Sequence, residues 1–203
     1  MKGLIYFTTN ESTNYQPNQC NHPLIGAIII MESFLNRLKD ISTFIFDVDG
    51  VLTDGSVYVM DNGDQARQFN IKDGYAVQLA VKCGYNVCAI SGSRSKIPIH
   101  RLNSLGVTDV YVGAHTKTEN FRMYLEEKHV LPASVLFMGD DIPDLEVMKL
   151  AGLAVCPADA AEEIKAISAY ISPNKGGRGA VRDVIEKVLK VQGKWMSEEA
   201  YSW

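Results

Sequence analysis

Acidic residues in two short runs are the side chains most suited to chemistry in this 203-residue chain. Asp47 and Asp49 directly follow an apolar run, and Asp140 and Asp141 follow another, with Asp144 one helical turn later. Carboxylate oxygens are the ligands that Mg²⁺ prefers. A divalent cation also removes the repulsion between a phosphate dianion and an attacking carboxylate. The pattern therefore predicts a magnesium-dependent site for phosphate-ester hydrolysis.

Hydrolysis through a covalent intermediate gives each carboxylate a role. Asp47 is the predicted nucleophile, which forms an acyl-phosphate and splits one difficult step into two. Asp49 is the predicted acid and base, which protonates the departing alkoxide and then deprotonates the attacking water. The carboxylates of Asp47 and Asp140 and the backbone carbonyl of Asp49 are the predicted metal ligands. Asp141 and Asp144 are expected behind these ligands, where they would orient them.

Three further residues complete the predicted site. The Ser91 hydroxyl and the Gly92 N–H can bind phosphoryl oxygens, and Lys117 can stabilise the transferring group with its charge. Taken singly, an Asp-x-Asp or Ser-Gly sequence is common in turns, and a lysine at a helix start is commonly solvated. The acidic runs, Ser-Gly and Lys117 follow four successive predicted strands, and this order favours a shared site.

Alternating apolar runs and amphipathic stretches predict the elements that position these residues. We expect strands over residues 43–48, 86–90, 109–112, 135–138 and 153–155, and helices over residues 76–83, 95–105, 117–129, 143–150 and 180–191. Such alternation predicts an α/β fold, with a Rossmann-like parallel sheet flanked by helices. Ligands of such sheets bind at the carboxyl ends of the strands, where the polar residues are predicted.

A β-hairpin flap is predicted directly after the first strand. Asn62 and Gly63 lie between the alternating runs 57–60 and 65–69, and Asn-Gly in such a setting is a strong hairpin signal.

Composition narrows the class of protein. The net charge of -4 argues against a nucleic-acid partner. The four cysteines lie far apart, which argues against a zinc site or a disulfide framework and suits the cytoplasm. No run approaches the roughly 20 apolar residues of a membrane helix. We expect residues 1–30 to be a disordered extension and residues 31–203 to be a single domain.

Residues 44–55, with the sequence Phe-Ile-Phe-Asp-Val-Asp-Gly-Val-Leu-Thr-Asp-Gly, strongly resemble the first motif of the haloacid dehalogenase superfamily phosphatases. Ser91, Lys117 and residues 139–144 match the second, third and fourth motifs, and the resemblance spans residues 41–203. It implies the same fold, cofactor Mg²⁺ and phospho-aspartate at Asp47.

The short connection between the hairpin and Gly92 leaves no room for the large cap domain of many relatives. The chain therefore resembles the capless 3-deoxy-D-manno-octulosonate 8-phosphate phosphatases of lipopolysaccharide sugar synthesis. The resemblance rests on the hairpin flap and on residues 70–75, Asn-Ile-Lys-Asp-Gly-Tyr. The resemblance implies a homotetramer in which packed flaps let a neighbouring subunit act as the cap. It also implies that the C-terminal segment reaches a neighbour's site, since residues 176–180 match a glycine-arginine signature there.

The substrate of that family carries a carboxylate, which suits the planar fork of arginine. Arg94 follows the second motif, and Arg101 matches an arginine of the family. Arg178 is expected from a neighbouring subunit, and Lys72 lies beside the first helix. These four are the predicted substrate-binding side chains, together with Gly92, although surface helix arginines are commonly just solvated.

Several alternatives remain. A sister family acts on nine-carbon sugar-acid phosphates and has Glu and Lys where this chain has Ser93 and Ser104, which favours the eight-carbon substrate. A phosphomutase needs a cap that excludes water. A receiver-type signalling domain carries its phosphorylated Asp on the third strand, whereas Asp47 follows the first. An inactive scaffold is the last alternative, but every expected catalytic position is filled.

Overall fold

The computed structural model of the protein describes residues 34–202, so the predicted extension over residues 1–30 lies outside the described residues. Six parallel strands form the main sheet in the order β5-β4-β1-β6-β7-β8. Their bounds are β1 Thr43–Phe46, β4 Asn86–Ile90, β5 Asp109–Tyr111, β6 Val135–Met138, β7 Leu153–Cys156 and β8 Tyr170–Ile171. The predicted parallel α/β fold is confirmed.

Strand β1 lies at the centre of the sheet, between β4 and β6. Its last residue, Phe46, is opposite Ala89 of β4 and Met138 of β6. From this centre the chain adds β4 and β5 on one side and β6 to β8 on the other. The strand order therefore reverses at β1, and such a point is where open α/β sheets bind ligands.

Helices cover both faces of the sheet, with bounds α1 Ile71–Lys82, α2 Ile97–Asn103, α3 Lys117–Lys128, α4 Leu145–Met148, α5 Glu162–Ile167 and α6 Ala180–Val191. One apolar core includes Leu79 of α1 and Val184 of α6, and the other includes Phe121 of α3 and Val147 of α4. Because both faces are covered, β1, β6 and β7 are buried along their whole length. This accounts for their apolar sequences, which Thr43 of β1 alone interrupts.

The predicted hairpin is present between β1 and α1. Strands β2 (Tyr58–Val59) and β3 (Gln65–Ala66) pair antiparallel around a turn in which Gly63 has a φ of +84°. That left-handed conformation is readily available to glycine. The paired segments are shorter than the predicted runs 57–60 and 65–69.

Local chemistry moves several predicted boundaries. Helix α1 begins at Ile71 rather than residue 76, because the Asn70 side chain caps it by accepting the N–H groups of Lys72 (2.8 Å) and Asp73 (3.3 Å). The predicted helix over 143–150 consists of a 3₁₀ turn at Ile142–Asp144 followed by α4. The short elements α5 and β8 were not predicted.

The segment after α6 folds back onto α1 of the same chain. The Tyr75 hydroxyl donates to the carbonyl of Ala200 at 2.6 Å, and Trp195 contacts the Tyr75 ring edge-on. The Arg182 guanidinium lies 5.1 Å from the centre of the Trp195 ring. The described C-terminal residues therefore pack on α1 of their own chain, and the implied contact with a neighbour's site stays a prediction.

Among residues 34–202, none of the helices combines the length and apolar character needed to cross a bilayer.

Candidate active site

Asp47 and Lys117 form a buried ion pair at the carboxyl edge of the sheet. Asp47 directly follows β1, and its N–H donates to the carbonyl of Met138 at 3.0 Å, which continues the strand pairing. Lys117 is the first residue of α3, and its Nζ lies 2.7 Å from Asp47 Oδ1 and 2.6 Å from Asp144 Oδ1. All three side chains are buried, so the ammonium is held between two carboxylates.

Asp140 completes what we call the carboxylate cluster: Asp47, Asp140 and Asp144. One ligand oxygen from each residue lies within 4.8 Å of the other two. Asp144 Oδ2 also accepts the N–H of Asp140 at 3.1 Å. Asp144, expected behind the metal ligands, therefore lies within the cluster itself. Asp141 is instead exposed, and its Oδ1 accepts the N–H of Ile142 at 2.8 Å.

The loop after Asp47 approaches the cluster through a glycine. Gly50 has a φ of +91°, and a Cβ on it would overlap the carboxylate of Asp140. The buried Thr53 hydroxyl fixes this loop, since it accepts the N–H groups of Gly50 (3.4 Å) and Gly55 (3.3 Å) and contacts the Val48 carbonyl (3.3 Å). The motif glycine is therefore required by space as well as by conformation.

Negative charge exceeds positive charge in the cluster. Burial, and then the charge of Asp144, raises the pKa of Asp47 to about 6, although Lys117 opposes the shift. Burial, with the charges of Asp47 and Asp144, raises the pKa of Asp140 to about 8. Burial lowers the pKa of Lys117, but the two carboxylates outweigh it and the net shift is upward. One ammonium does not balance three carboxylates, of which Asp47 and Asp144 are buried and Asp140 is half-buried.

A divalent cation fits this excess of charge. Asp140 Oδ1 is buried and has no hydrogen-bond partner among residues 34–202. A buried oxygen without a partner is unfavourable, whereas a cation would ligate it. The donors available are carboxylate oxygens, which Mg²⁺ prefers. The residues present therefore suit the predicted cofactor.

Ser91 and Gly92 lie at the same edge, after β4. Ser91 is buried, and its Oγ accepts the N–H of Ser93 at 3.1 Å. Gly92 is exposed. Because β4 pairs with β1, these groups follow the strand beside the one that carries Asp47.

Asp49 has a partner that the sequence analysis missed, Arg67 on the hairpin. Arg67 Nε donates to Asp49 Oδ1 at 2.6 Å, and its Nη2 lies 3.5 Å from Oδ2. The same Nη2 donates to Ser93 Oγ at 3.1 Å. The signal available in the sequence was an arginine within the predicted second hairpin run, residues 65–69.

Comparison with known proteins identifies the family of the chain. A family model for haloacid dehalogenase-like hydrolases matches residues 99–185. The chain is 38% identical over 158 residues to the 3-deoxy-D-manno-octulosonate 8-phosphate phosphatase KdsC of Escherichia coli strain K12, which covers 78% of this chain and 84% of the relative. The chain belongs to the 3-deoxy-D-manno-octulosonate 8-phosphate phosphatase family.

Solved structures of the 3-deoxy-D-manno-octulosonate 8-phosphate phosphatase family superpose closely on the chain. The Yersinia pestis phosphatase has a TM-score of 0.79 at 36% identity, covering 80% of this chain and 88% of that one. The Moraxella catarrhalis phosphatase, solved with a magnesium ion, a phosphate ion and KDO, has a TM-score of 0.79 at 30% identity, covering 81% of this chain and 95% of that one.

A cleft of about 650 Å³ opens between the hairpin and the loop after β4. Arg94, one of the side chains predicted to bind the family's substrate, is exposed in its wall. The cleft is lined by Met60, Gly63, Asp64 and Gln65 of the hairpin and by Ser93, Arg94, Ser95 and Ile97 opposite. The cleft lies beside the second motif, because Ser93 lines it. It also lies near Asp49, because Arg67 bonds both Asp49 and the lining residues Gln65 and Ser93.

The other predicted substrate-binding side chains lie apart from this cleft. Arg101 packs against Gly74 of α1, where any Cβ would overlap its guanidinium, and its buried Nη2 has no hydrogen-bond partner among residues 34–202. Arg178 is exposed and pairs with Asp54 of the same chain at 2.9 Å. Lys72 is exposed at the start of α1.

The glycine-arginine segment of the family lies against the first-motif loop of its own chain. The Gly177 N–H donates to the Val51 carbonyl at 2.9 Å, and a Cβ on Gly176 would overlap the Gly50 carbonyl. The buried Asp73 carboxylate accepts the N–H of Gly179 at 3.1 Å. These contacts hold the start of α6 beside the predicted nucleophile loop.

Proposed function

We propose that this protein hydrolyses 3-deoxy-D-manno-octulosonate 8-phosphate to 3-deoxy-D-manno-octulosonate and phosphate, through a phospho-aspartate at Asp47. The observation that carries the proposal is the carboxylate cluster, which holds Lys117 at the sheet edge in a chain of this phosphatase family. Phosphoryl transfer requires preorganised cations beside the nucleophile, and the cluster holds Lys117 there and offers carboxylate ligands for Mg²⁺.

Mg²⁺, held by the carboxylates of Asp47 and Asp140 and the backbone carbonyl of Asp49, would neutralise charge between the nucleophile and the phosphate. Asp144 orients Lys117 and Asp140, because it accepts hydrogen bonds from the Lys117 ammonium and from the Asp140 N–H. The Lys117 ammonium stabilises charge on the phosphoryl group.

Asp47 attacks phosphorus, and the bond from phosphorus to the sugar oxygen breaks. Asp49 gives its proton to that oxygen, which leaves as an alcohol. Asp49 then takes a proton from the water that attacks the phospho-aspartate, so phosphate is released and Asp47 is restored. Ser91 and the Gly92 N–H hold phosphoryl oxygens during both steps.

A screen of phosphate release tests the activity. We expect turnover of the eight-carbon 8-phosphate with Mg²⁺, a lower kcat/KM for a nine-carbon 9-phosphate, and loss of turnover with a chelator. Asp49→Asn should bind substrate but turn over at least about 10²-fold more slowly, the usual size of a general acid–base contribution. Preference for the nine-carbon ester, or full activity of Asp49→Asn, would contradict the proposal.

The substrate carboxylate is the feature that the basic side chains would recognise. The exposure of Arg94 in the cleft wall supports this role for it. Arg101, Arg178 and Lys72 stay candidates, and each is tested by substitution with Met. Loss of a carboxylate contact should raise KM for the sugar acid and leave KM for an aryl phosphate unchanged.

A homotetramer, in which hairpins pack together and neighbours cover the sites of single capless domains, is the second part of the proposal. The hairpin supports it, because Val57, Tyr58, Val59 and Met60 are consecutive and all exposed. Contiguous exposed apolar residues mark interaction sites. Light scattering should give four times the chain mass, and a Tyr58→Ser, Val59→Ser double variant should reduce it. A fully active monomeric wild type would contradict this part.

The cytoplasmic location indicated by the cysteines also stays part of the proposal. In agreement, Cys83, Cys88 and Cys156 are free thiols in the structure.

A further inference from the structure

Arg67 is a buried cation on an otherwise exposed hairpin. Its side chain is only 4% exposed, whereas Val59 on the paired strand is 69% exposed. Burial of a guanidinium is unfavourable unless its donors are satisfied. The hydrogen-bond partners of Arg67 therefore indicate the role of this buried side chain.

The strongest partner is the carboxylate of Asp49. Arg67 Nε lies 2.6 Å from Oδ1, a short charge-assisted hydrogen bond, whereas Nη2 lies 3.5 Å from Oδ2, at the limit of hydrogen bonding. The two carboxylate oxygens are thus held unequally. Oδ1 accepts the short hydrogen bond, and Oδ2 is the more weakly held oxygen.

The remaining donors of Arg67 point to the cleft wall. Nη2 donates to Ser93 Oγ at 3.1 Å, and Nη1 donates to Gln65 Oε1 at 3.3 Å. Both Gln65 and Ser93 line the cleft, on opposite sides. The planar guanidinium is therefore fixed from three directions, which makes it a rigid support for Asp49.

We infer that Arg67 is a positioning residue, which holds Asp49 by Oδ1 and so presents Oδ2 to the leaving group. The inference rests on the proposed function. As the bond between phosphorus and the sugar oxygen breaks, the proton moves from Oδ2 to that oxygen, and Oδ1 continues to accept the Nε–H. In the second step Oδ2 takes the proton of the attacking water.

The leaving group gives a test specific to this role. A sugar alkoxide must be protonated as it departs, whereas p-nitrophenolate is stable enough to leave without a proton. A positioning role through the acid should therefore affect only the first substrate. A merely structural role would affect both.

Single-turnover kinetics with enzyme in excess isolates the first step for each substrate. Arg67→Met should slow release of the sugar acid about 100-fold, the low end of general-acid contributions, and change release of p-nitrophenol by less than about threefold. Arg67→Lys, which can still offer a charged donor to Oδ1, should recover part of the lost rate. The unchanged p-nitrophenol release also shows that the variant is folded.

Non-additivity gives the second readout. If Arg67 acts through Asp49, the double variant Asp49→Asn, Arg67→Met should be no slower than Asp49→Asn. Arg122→Met, which removes an exposed arginine on α3, is the matched control and should leave both rates unchanged.

Three results would overturn the inference: equal losses on both substrates, no loss on either, or additive losses in the double variant. A Lys variant as slow as the Met variant would also count against it. Failure of the proposed function is separate, because it would appear as retained sugar-acid release in Asp47→Asn, whatever the Arg67 variants do.

Discussion

The carboxylate cluster and the hairpin belong to the same functional region, yet they are built in opposite ways. Asp47 and Asp144 are buried and pair with Lys117, and Asp144 accepts the N–H of the half-buried Asp140 within the same chain. The hairpin has two-residue strands and exposes Val57, Tyr58, Val59 and Met60. Core packing therefore holds the carboxylate cluster in place within a single chain, whereas the hairpin presents an exposed apolar surface, which the proposed tetramer would cover.

Substitution of the nucleophile Asp47 should have the largest effect on activity and should leave the structure of the hairpin unchanged. Asp47→Asn should reduce kcat by about 10⁴-fold or more, as for nucleophiles that act with other groups as a unit. Burial raises the pKa of Asp47, so loss of its charge should not destabilise the metal-free fold. Phosphate release and urea unfolding measure the two quantities. A kcat within about tenfold of wild type would contradict the assignment.

Lys117→Met should be the next largest change. It leaves Asp47 and Asp144 without their cation, and we expect a loss of about 10³-fold in kcat and about 3 kcal/mol in the metal-free free energy of unfolding. Lys128→Met, on the same helix, is the matched control, because its ion pair with Asp109 is partly exposed and should contribute at most about 1 kcal/mol. Equal destabilisation by both variants would mean that burial does not set the strength of these pairs.

Magnesium should stabilise the fold through the cluster. At a concentration about 100-fold above its Kd, the cation should add about 2.7 kcal/mol to the free energy of unfolding. Asp140→Asn should remove most of this gain, since it deletes the carboxylate whose Oδ1 is buried without a partner. Thermal unfolding with and without Mg²⁺ measures the shift. The same shift in the variant would place the cation elsewhere.

A charge on the hairpin should have the smallest effect and leave the chemistry intact. Val59→Asp should disfavour contact between copies and lower kcat/KM for the sugar acid about tenfold, equivalent to about 1.4 kcal/mol, with little change for p-nitrophenyl phosphate. Leu131→Asp is the matched control, because Leu131 is 73% exposed and lies before β6, at the opposite edge of the sheet. If both variants behave alike, the hairpin has no special role as a cover.

Buried strands could be predicted from the sequence, whereas features that depend on a single side chain could not. Strands β4 and β6 match the predicted ranges, because a strand buried on both faces is a continuous apolar run. The start of α1 was missed, because a cap at Asn70 depends on one side chain and not on periodicity.

Contacts between residues far apart in the sequence were also not predicted. The motifs indicated which acidic residues share a site, but not that Asp144 would bond Lys117 directly at 2.6 Å. Arg67 lies 18 residues from Asp49, and no local pattern predicts that pair. The short elements α5 and β8 carry too few residues to show a period.

The buried Thr53 hydroxyl has a consequence for amide exchange with solvent. It accepts the N–H groups of Gly50 and Gly55, and the Gly177 N–H from the glycine-arginine segment bonds to the Val51 carbonyl. These amides can exchange deuterium only when the loop opens. Slow exchange at Gly177 would therefore report, without any substrate, that the nucleophile loop is closed, and faster exchange after Thr53→Val would identify the hydroxyl as its latch.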